Sequence, residues 1–317
     1  DAAAEFERRW QWLNAALPQL QPFFAARQFP DTWFLPLWSV WLPLACQLQD
    51  WQRSSTRSTA PPSPAPQIIG FLGGQGSGKT TLTTLLKCLL ELQDYRVLAW
   101  SIDDLYLPYG DRLQLQQQDP RLIWRGPPGT HDVALGLNVL NQFKRGQQPV
   151  AVPRFDKSCH DGAGDRMAFE TVDPVDFVLF EGWCVGARPI APCILDQPDL
   201  PAPIWTDADR TFAQDMNLAL HEYLPLWEQL DRLVVMQLQD YRWSQQWRQQ
   251  AEQQMRAKGL AGMSDQAIQE FVEYFWKSLH PELFITPLTQ EPSWSDLVLE
   301  IGVDHLPDRV YRPSARA

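Results

Sequence analysis

Residues 73–80 read Gly73-Gly74-Gln75-Gly76-Ser77-Gly78-Lys79-Thr80 and satisfy the spacing GxxxxGK[ST]. No other feature of the chain restricts its fold as much. An apolar run, IIGFL at 68–72, precedes it and has the length and composition of a fully buried strand. After it, Leu82, Leu85, Leu86, Leu89 and Leu90 recur at helical spacing over 80–92. Strand, glycine-rich turn and helix together make a cradle for phosphate. The glycines let backbone N–H groups wrap the anion, and the helix N-terminus stabilises its charge. These eight residues and Thr81 are the expected nucleotide-binding segment. Lys79 is expected to reach the β- and γ-phosphates and Thr80 to hold Mg²⁺.

The rest of the hydrophobic pattern agrees with that start. Apolar runs at 97–102, 175–180, 233–238 and, more weakly, 297–301 predict further buried strands. Asp132 is placed to cap a helix that runs to Lys144 and Arg145 and stops at Gly146, and another helix is expected over 241–258, closed by Gly259. Strands alternating with helices predict an α/β fold of the P-loop NTPase type. Its mostly parallel sheet is covered by helices on both faces and carries a helical N-terminal extension and a helical lid. Residues 52–66, QRSSTRSTAPPSPAP, are Ser/Thr/Pro-rich and read as a linker. The expected division is a helical segment at 1–51 holding six of the 15 Trp, the linker at 52–66, and a P-loop domain at 67–317 with its lid at about 240–265. The N-terminal segment is expected to dock on the larger domain.

Composition removes several classes of function. With 27 Lys and Arg against 38 Asp and Glu, the net charge of −11 argues against nucleic acid or an anionic membrane as a partner. A small anion in a local basic pocket remains compatible. The most apolar stretch, 33–48, is shorter than a membrane span and carries Pro36 and Pro43, so it reads as short packed helices. Residues 1–9 are charged, with no secretory-type apolar run. The five scattered Cys form no CxxC pair and the five His show no zinc spacing, which points to a reducing compartment without a disulfide framework.

What is done with the nucleotide is read from the acids and the basic loops. No NKxD occurs, as a guanine site would require, and the third strand ends in one acid, Glu181, followed by Gly182. Asp103 and Asp104 end the second strand. Ligands collect at the carboxyl ends of strands in open α/β sheets, so these acids and the glycine-rich loop can converge on one crevice. Asp103 or Asp104 then serves as the base for an attacking hydroxyl, and Glu181 helps organise that hydroxyl or, with Thr80, Mg²⁺. Spacing does not choose between the two aspartates. Arg125, His131, Arg154, Lys157 and Arg166 lie on Gly/Pro-rich loops and suit an anionic small substrate, with Arg154 or Arg125 holding a carboxylate. Arg242 or Arg248 is expected to close over the phosphates, while Glu252 and Arg256, four residues apart, are placed to pair on the helix surface.

These motifs resemble the D-glycerate 3-kinases of plants, fungi and cyanobacteria, within the P-loop kinase group that includes phosphoribulokinase, uridine kinase and pantothenate kinase. The matching text is GGQGSGKTT at 73–81, SIDDLYLP at 101–108, RGPPGTHD at 125–132, VPRFDKS at 152–158, GDR at 164–166, LFEGW at 179–183 and WRQQAEQQMRAKGLAGMSD at 247–265. The plant members read DDFY where this chain reads DDLY, a change that leaves both acids in place. The resemblance implies transfer of the ATP γ-phosphate to the primary hydroxyl of D-glycerate, giving 3-phosphoglycerate in photorespiratory glycolate salvage. It also implies a phosphotransferase with an alcohol acceptor and a cytoplasmic enzyme, or a stromal one in a plant. Its partners would be small molecules alone, with a monomer as the working expectation. The alternatives are another P-loop kinase, acting on uridine, ribulose 5-phosphate or pantothenate, and a nucleotide-dependent regulatory switch.

Overall fold

The computed structural model describes residues 2–27, 29, 31–56, 65–147, 149–257 and 263–314. Helices α1 (Ala2–Ala26) and α2 (Leu42–Thr56) come first, followed by β1 (Gln67–Gly73), α3 (Lys79–Glu91) and β2 (Val97–Ser101). Next are α4 (Tyr109–Gln118), α5 (Val133–Lys144) and four short strands, β3 (Val150–Val152), β4 (Phe155–Asp156), β5 (Asp165–Arg166) and β6 (Glu170–Val172). Strand β7 (Phe177–Gly182), α6 (Asp207–Ala219), β8 (Arg232–Leu238), α7 (Trp243–Ala257), α8 (Asp265–Ser278), β9 (Leu297–Ile301) and β10 (Pro307–Tyr311) complete the order. Helix α2 ends inside the stretch read as a linker, of which 57–64 lie outside the described residues, as do Lys258 and Gly259 beyond α7.

Six strands form the central sheet in the order β10-β9-β8-β1-β7-β2, parallel throughout except for β10. From β1 the chain goes to β2 on one side and later to β8 on the other, so the topological switch lies at β1, where the glycine-rich loop begins. The five strands expected from apolar runs all form. Edge strand β10 escaped that reading because Pro307, Asp308 and Arg309 blunt it against further pairing, leaving little apolar signal. The ribbons β3/β6 and β4/β5 are too short to carry a period at all.

The parallel strands are buried on both faces because alternate side chains go to opposite cores. Ile68, Leu72, Trp100, Val178, Phe180 and Val235 pack with Val139 and Phe143 of α5, Phe212 of α6 and Phe275 of α8. Ile69, Phe71, Phe177, Leu179, Val234 and Leu299 point the other way, against α3 and the N-terminal helices. Trp12 of α1 donates its indole N–H to the Leu89 carbonyl at 3.0 Å, which ties the first helix to α3. Phe24 is 1% exposed and stacks at 4.3 Å on Trp33 and at 5.9 Å on Trp41. Among the described residues no helix is long and apolar enough to cross a membrane, and the five cysteines are unpaired.

Replacing Phe24 by Ala removes a stacked ring from the core that α1 shares with the sheet. We expect Phe24→Ala to lower the unfolding free energy by about 3–5 kcal/mol in urea titrations. A loss below about 1 kcal/mol would mean that the N-terminal helices do not unfold with the sheet.

Candidate active site at the carboxyl ends of the strands

The glycine-rich loop leaves β1 at Gly73 and turns into α3 through Gly78, whose φ of 82° is the left-handed conformation glycine adopts without strain. The Ser77 N–H closes the turn on the Gly74 carbonyl at 3.2 Å. Lys79 opens the helix with its ammonium 3.5 Å from that same carbonyl, inside the cradle. Thr81 follows in the first turn, half-buried. Thr80 donates its hydroxyl proton to Glu181 Oε1 at 2.7 Å. Glu181 is 5% exposed, and its other oxygen, Oε2, has no hydrogen-bond partner in the protein. Behind the loop stands a buttress that the sequence did not signal. The imidazole of His305 stacks on Trp247 at 3.8 Å and donates from Nδ1 to the Gly76 carbonyl at 3.1 Å.

The two adjacent aspartates separate sharply. Ser101 caps the short turn after β2, its hydroxyl accepting from the Asp103 N–H at 3.2 Å while Asp104 accepts from the Ser101 N–H at 3.3 Å. That box turns Asp104 inward, where it also accepts from the Phe155 N–H at 3.0 Å and from Arg154 at 3.1 Å. Burial raises the Asp104 carboxyl above its ordinary range despite these donors. Asp103 points to the crevice. Burial pushes it up as well, but Lys157 at 2.5 Å, nearby Lys79 and the Tyr106 hydroxyl outweigh burial and hold it below its ordinary value. Asp103 is therefore ionised and Asp104 is built into the frame.

The basic residues expected to hold substrate divide in the same way. Arg154 spans Asp104 and Glu170, the latter at 2.6 Å, so its fork is occupied and it does not present a free guanidinium. Arg166 is also engaged, with the Tyr106 carbonyl at 3.0 Å and Asp132 at 3.1 Å. Arg125 differs: it donates to the carbonyls of Gly162 and Ala163 at 2.8 and 2.9 Å and meets no carboxylate at ion-pair distance among the described residues. It lies 5.7 Å from the ring centre of Tyr106, whose hydroxyl reaches Asp103. A second arginine, Arg112, was not singled out from sequence. It bonds the carbonyls of Leu107 and Gly164, and burial together with the positive charge of Arg125 lowers its pKa. Arg112, Arg125, Tyr109 and Thr130 line a cavity of about 170 Å³. His131 is 5% exposed and stacks on Tyr106 at 4.6 Å. Gly126, at the start of this loop, has a φ of 134°, and a Cβ there would lie 2.3 Å from the Phe275 ring.

On α7 and just before it the pairing differs from the expected one. Glu252 is turned inward, accepting from the Met263 N–H at 3.1 Å, and pairs with Arg248 one turn back at 2.7 Å, while Arg256 binds Asp265 at 2.7 Å. Arg248 is thus held along the helix and not over the loop. Arg242 forks onto Asp240, with one N···O distance of 2.7 Å, and lines with Gly74 and Gln75 a cavity of about 630 Å³ beside the loop. Of the two expected lid arginines, Arg242 shares that cavity and Arg248 does not line it.

Comparison with known proteins gives the following. No protein-family model matches the chain. An uncharacterised kinase of Schizosaccharomyces pombe, mug58, is 34% identical over 223 residues, which is 68% of this chain and 80% of that protein. The chloroplastic D-glycerate 3-kinase of Arabidopsis thaliana is 34% identical over 255 residues, 75% of this chain and 53% of the relative, so the chain spans about half of that protein's length. Among solved structures, the D-glycerate 3-kinase of Cryptococcus neoformans superposes with a TM-score of 0.74 at 29% identity, covering 86% of this chain and 99% of the other.

The two aspartates should respond differently to amidation. Asp104→Asn keeps one acceptor oxygen but sets an amide NH₂ against a donor that the other oxygen served, and should lower stability by about 1–3 kcal/mol. Asp103→Asn, which gives up an ion pair with a mostly exposed lysine, should lower the unfolding free energy by less than Asp104→Asn does. Equal destabilisation of the two variants would contradict the division.

Proposed function

The chain belongs to the D-glycerate 3-kinase family of P-loop kinases, phosphotransferases with an alcohol acceptor, and from that membership we propose that it moves the γ-phosphate of ATP onto the primary hydroxyl of D-glycerate. The observation that most supports this reading is an ionised Asp103 beside Lys79, with the carboxylate-free Arg125 guanidinium facing the same tyrosine. Base, phosphate cradle and carboxylate anchor are what an acidic alcohol needs at once.

ATP lies along Gly73–Thr80 in this reading, with the loop N–H groups, Lys79 and the α3 N-terminus around its phosphates. Asp103 takes the proton of the acceptor hydroxyl as that oxygen bonds to the γ-phosphorus, and the bond to the β-phosphate oxygen breaks. ADP and 3-phosphoglycerate result. Arg125 holds the acceptor carboxylate, and Arg112 adds positive charge behind it. Arg154 and Arg166 fix the loops that carry Asp104, Phe155 and Tyr106. Lys157 keeps Asp103 charged and, with a mostly exposed side chain, can swing away to the incoming anion. Arg242 reaches the phosphates when the lid closes over the 630 Å³ cavity. Thr80 and Glu181 suit a magnesium ion, because a buried carboxylate oxygen without a partner sits beside a hydroxyl at the helix start. Such an ion would neutralise charge on the phosphate oxygens.

The same reading carries a role in photorespiratory glycolate salvage, a cytoplasmic or stromal location, and action as a monomer on small molecules. The domain division given above, with a lid at 240–265, is part of it.

Release of ADP from ATP·Mg²⁺ should depend on D-glycerate and stay at background with L-glycerate, uridine, ribulose 5-phosphate, pantothenate or no acceptor. Turnover without an acceptor would move the chain to the switch class. Asp103→Asn should lower kcat by about 10²–10⁴. In the parent, the acid limb of kcat/KM from Asp103 lies below the ordinary carboxylate range, because activity needs the carboxylate and its neighbours depress its pKa. Lys157→Met removes the largest lowering influence and should move that limb upward in pH. An unmoved limb would take the base away from Asp103.

A further inference from the structure

Tyr223 precedes β8 and is wholly buried, far in sequence from every motif that marks the site. Its hydroxyl accepts from the Gly129 N–H at 3.0 Å. That bond uses a lone pair of the phenol oxygen. A tyrosine hydroxyl owns one proton, and the acceptor left for it is Nδ1 of His131, 2.8 Å away. With the imidazole accepting at Nδ1 and its proton on Nε2 the phenol is fully paired, whereas a proton on Nδ1 would leave the buried phenol O–H without an acceptor. That nitrogen has no hydrogen-bond partner in the protein, although the residue is 5% exposed. A buried polar atom left unpaired is costly unless a ligand completes it.

Position supports the same conclusion. The ring lies flat on Tyr106, at 4.6 Å and 21°, and Tyr106 bonds Asp103 through its hydroxyl. Asp103 is the one charge that acts on the imidazole, raising its pKa, yet burial prevails and holds it at about 4. A neutral donor is what this place requires. An imidazolium would add a positive charge that Asp103 attracts, where Lys157 and Lys79 already act on that base.

We propose that His131 presents Nε2–H to an oxygen of the acceptor molecule, a carboxylate or hydroxyl oxygen, and that Tyr223 is the positioning residue that fixes this tautomer. The role rests on the reading of the Asp103 crevice as the acceptor site. It adds a recognition element that reads an oxygen acceptor without adding charge, beside the charged anchor Arg125.

The test uses the full-length chain with ¹⁵N-labelled histidine and two-bond nitrogen–proton correlation, with the His131 signals identified by their loss in His131→Gln. At neutral pH the parent should show the proton on Nε2. Tyr223→Phe should shift the signal toward the Nδ1–H form or a mixture and raise the acceptor KM tenfold or more, with the ATP KM within twofold. His131→Ala should raise the acceptor KM at least as much. His131→Gln, whose amide nitrogen sits near the Nε2 position, should recover most of the loss. An Nδ1–H or doubly protonated ring in the parent overturns the proposal, and so does an acceptor KM within twofold of the parent in His131→Ala. If D-glycerate is not phosphorylated but another acceptor is, the substrate reading fails while these KM comparisons run on that acceptor. The tautomer is read with no acceptor present, so the two failures are distinct.

Discussion

Three parallel strands end level, and the chemistry of the molecule depends on that alignment. The register pairs Phe71 of β1 with Glu181 of β7 and Ser101 of β2 with the same Glu181. Strand hydrogen bonding alone therefore sets the glycine-rich loop, the Glu181 carboxylate and the Asp103–Asp104 turn at one height. A one-residue slip in β7 would reverse its faces, sending Glu181 into the core and Phe180 toward the crevice. The buried side chains on both faces forbid that slip, so packing on the two sides of the sheet holds the Thr80–Glu181 contact in place.

Above the strand ends, most positive charge is already committed. Arg154, Arg166 and Arg248 each meet a carboxylate at 3.1 Å or less. Arg112 and Arg125 are instead held by backbone carbonyls, which orient a guanidinium without neutralising it. In a chain of net charge −11, this contrast makes a small electropositive site that its overall charge conceals. The acids follow the same logic, with Asp104 spent on the frame and Asp103 left to face the crevice.

The sheet was legible because strands buried on both sides must be apolar almost throughout, and five such runs stood out. The Asp132 cap and the Gly146 stop were legible for an equally local reason, the needs of helix ends. The fates of the arginines were not. Arg154 is settled by Glu170 and Asp104, and Arg256 by Asp265, partners that only the folded chain brings near. Spacing four apart suggested Glu252 with Arg256, yet the inward turn of Glu252 toward Met263 gave it to Arg248. Tyr223 and Arg112 carried no pattern at all, since their importance lies in what their polar atoms meet across the fold.

The docking of α1 also bears on how the chain is made. Its buried residues, Trp12, Leu13, Leu20 and Phe24, belong to a core completed by Val234 and Leu299. During synthesis these helices leave the ribosome before the sheet, and the last strand that closes their core follows about 280 residues later, roughly 15–60 s at ordinary elongation rates. Throughout that interval an aromatic surface awaits its sheet. The nascent chain thus has a period of exposed stickiness that the finished enzyme lacks, and it ends when β9 arrives.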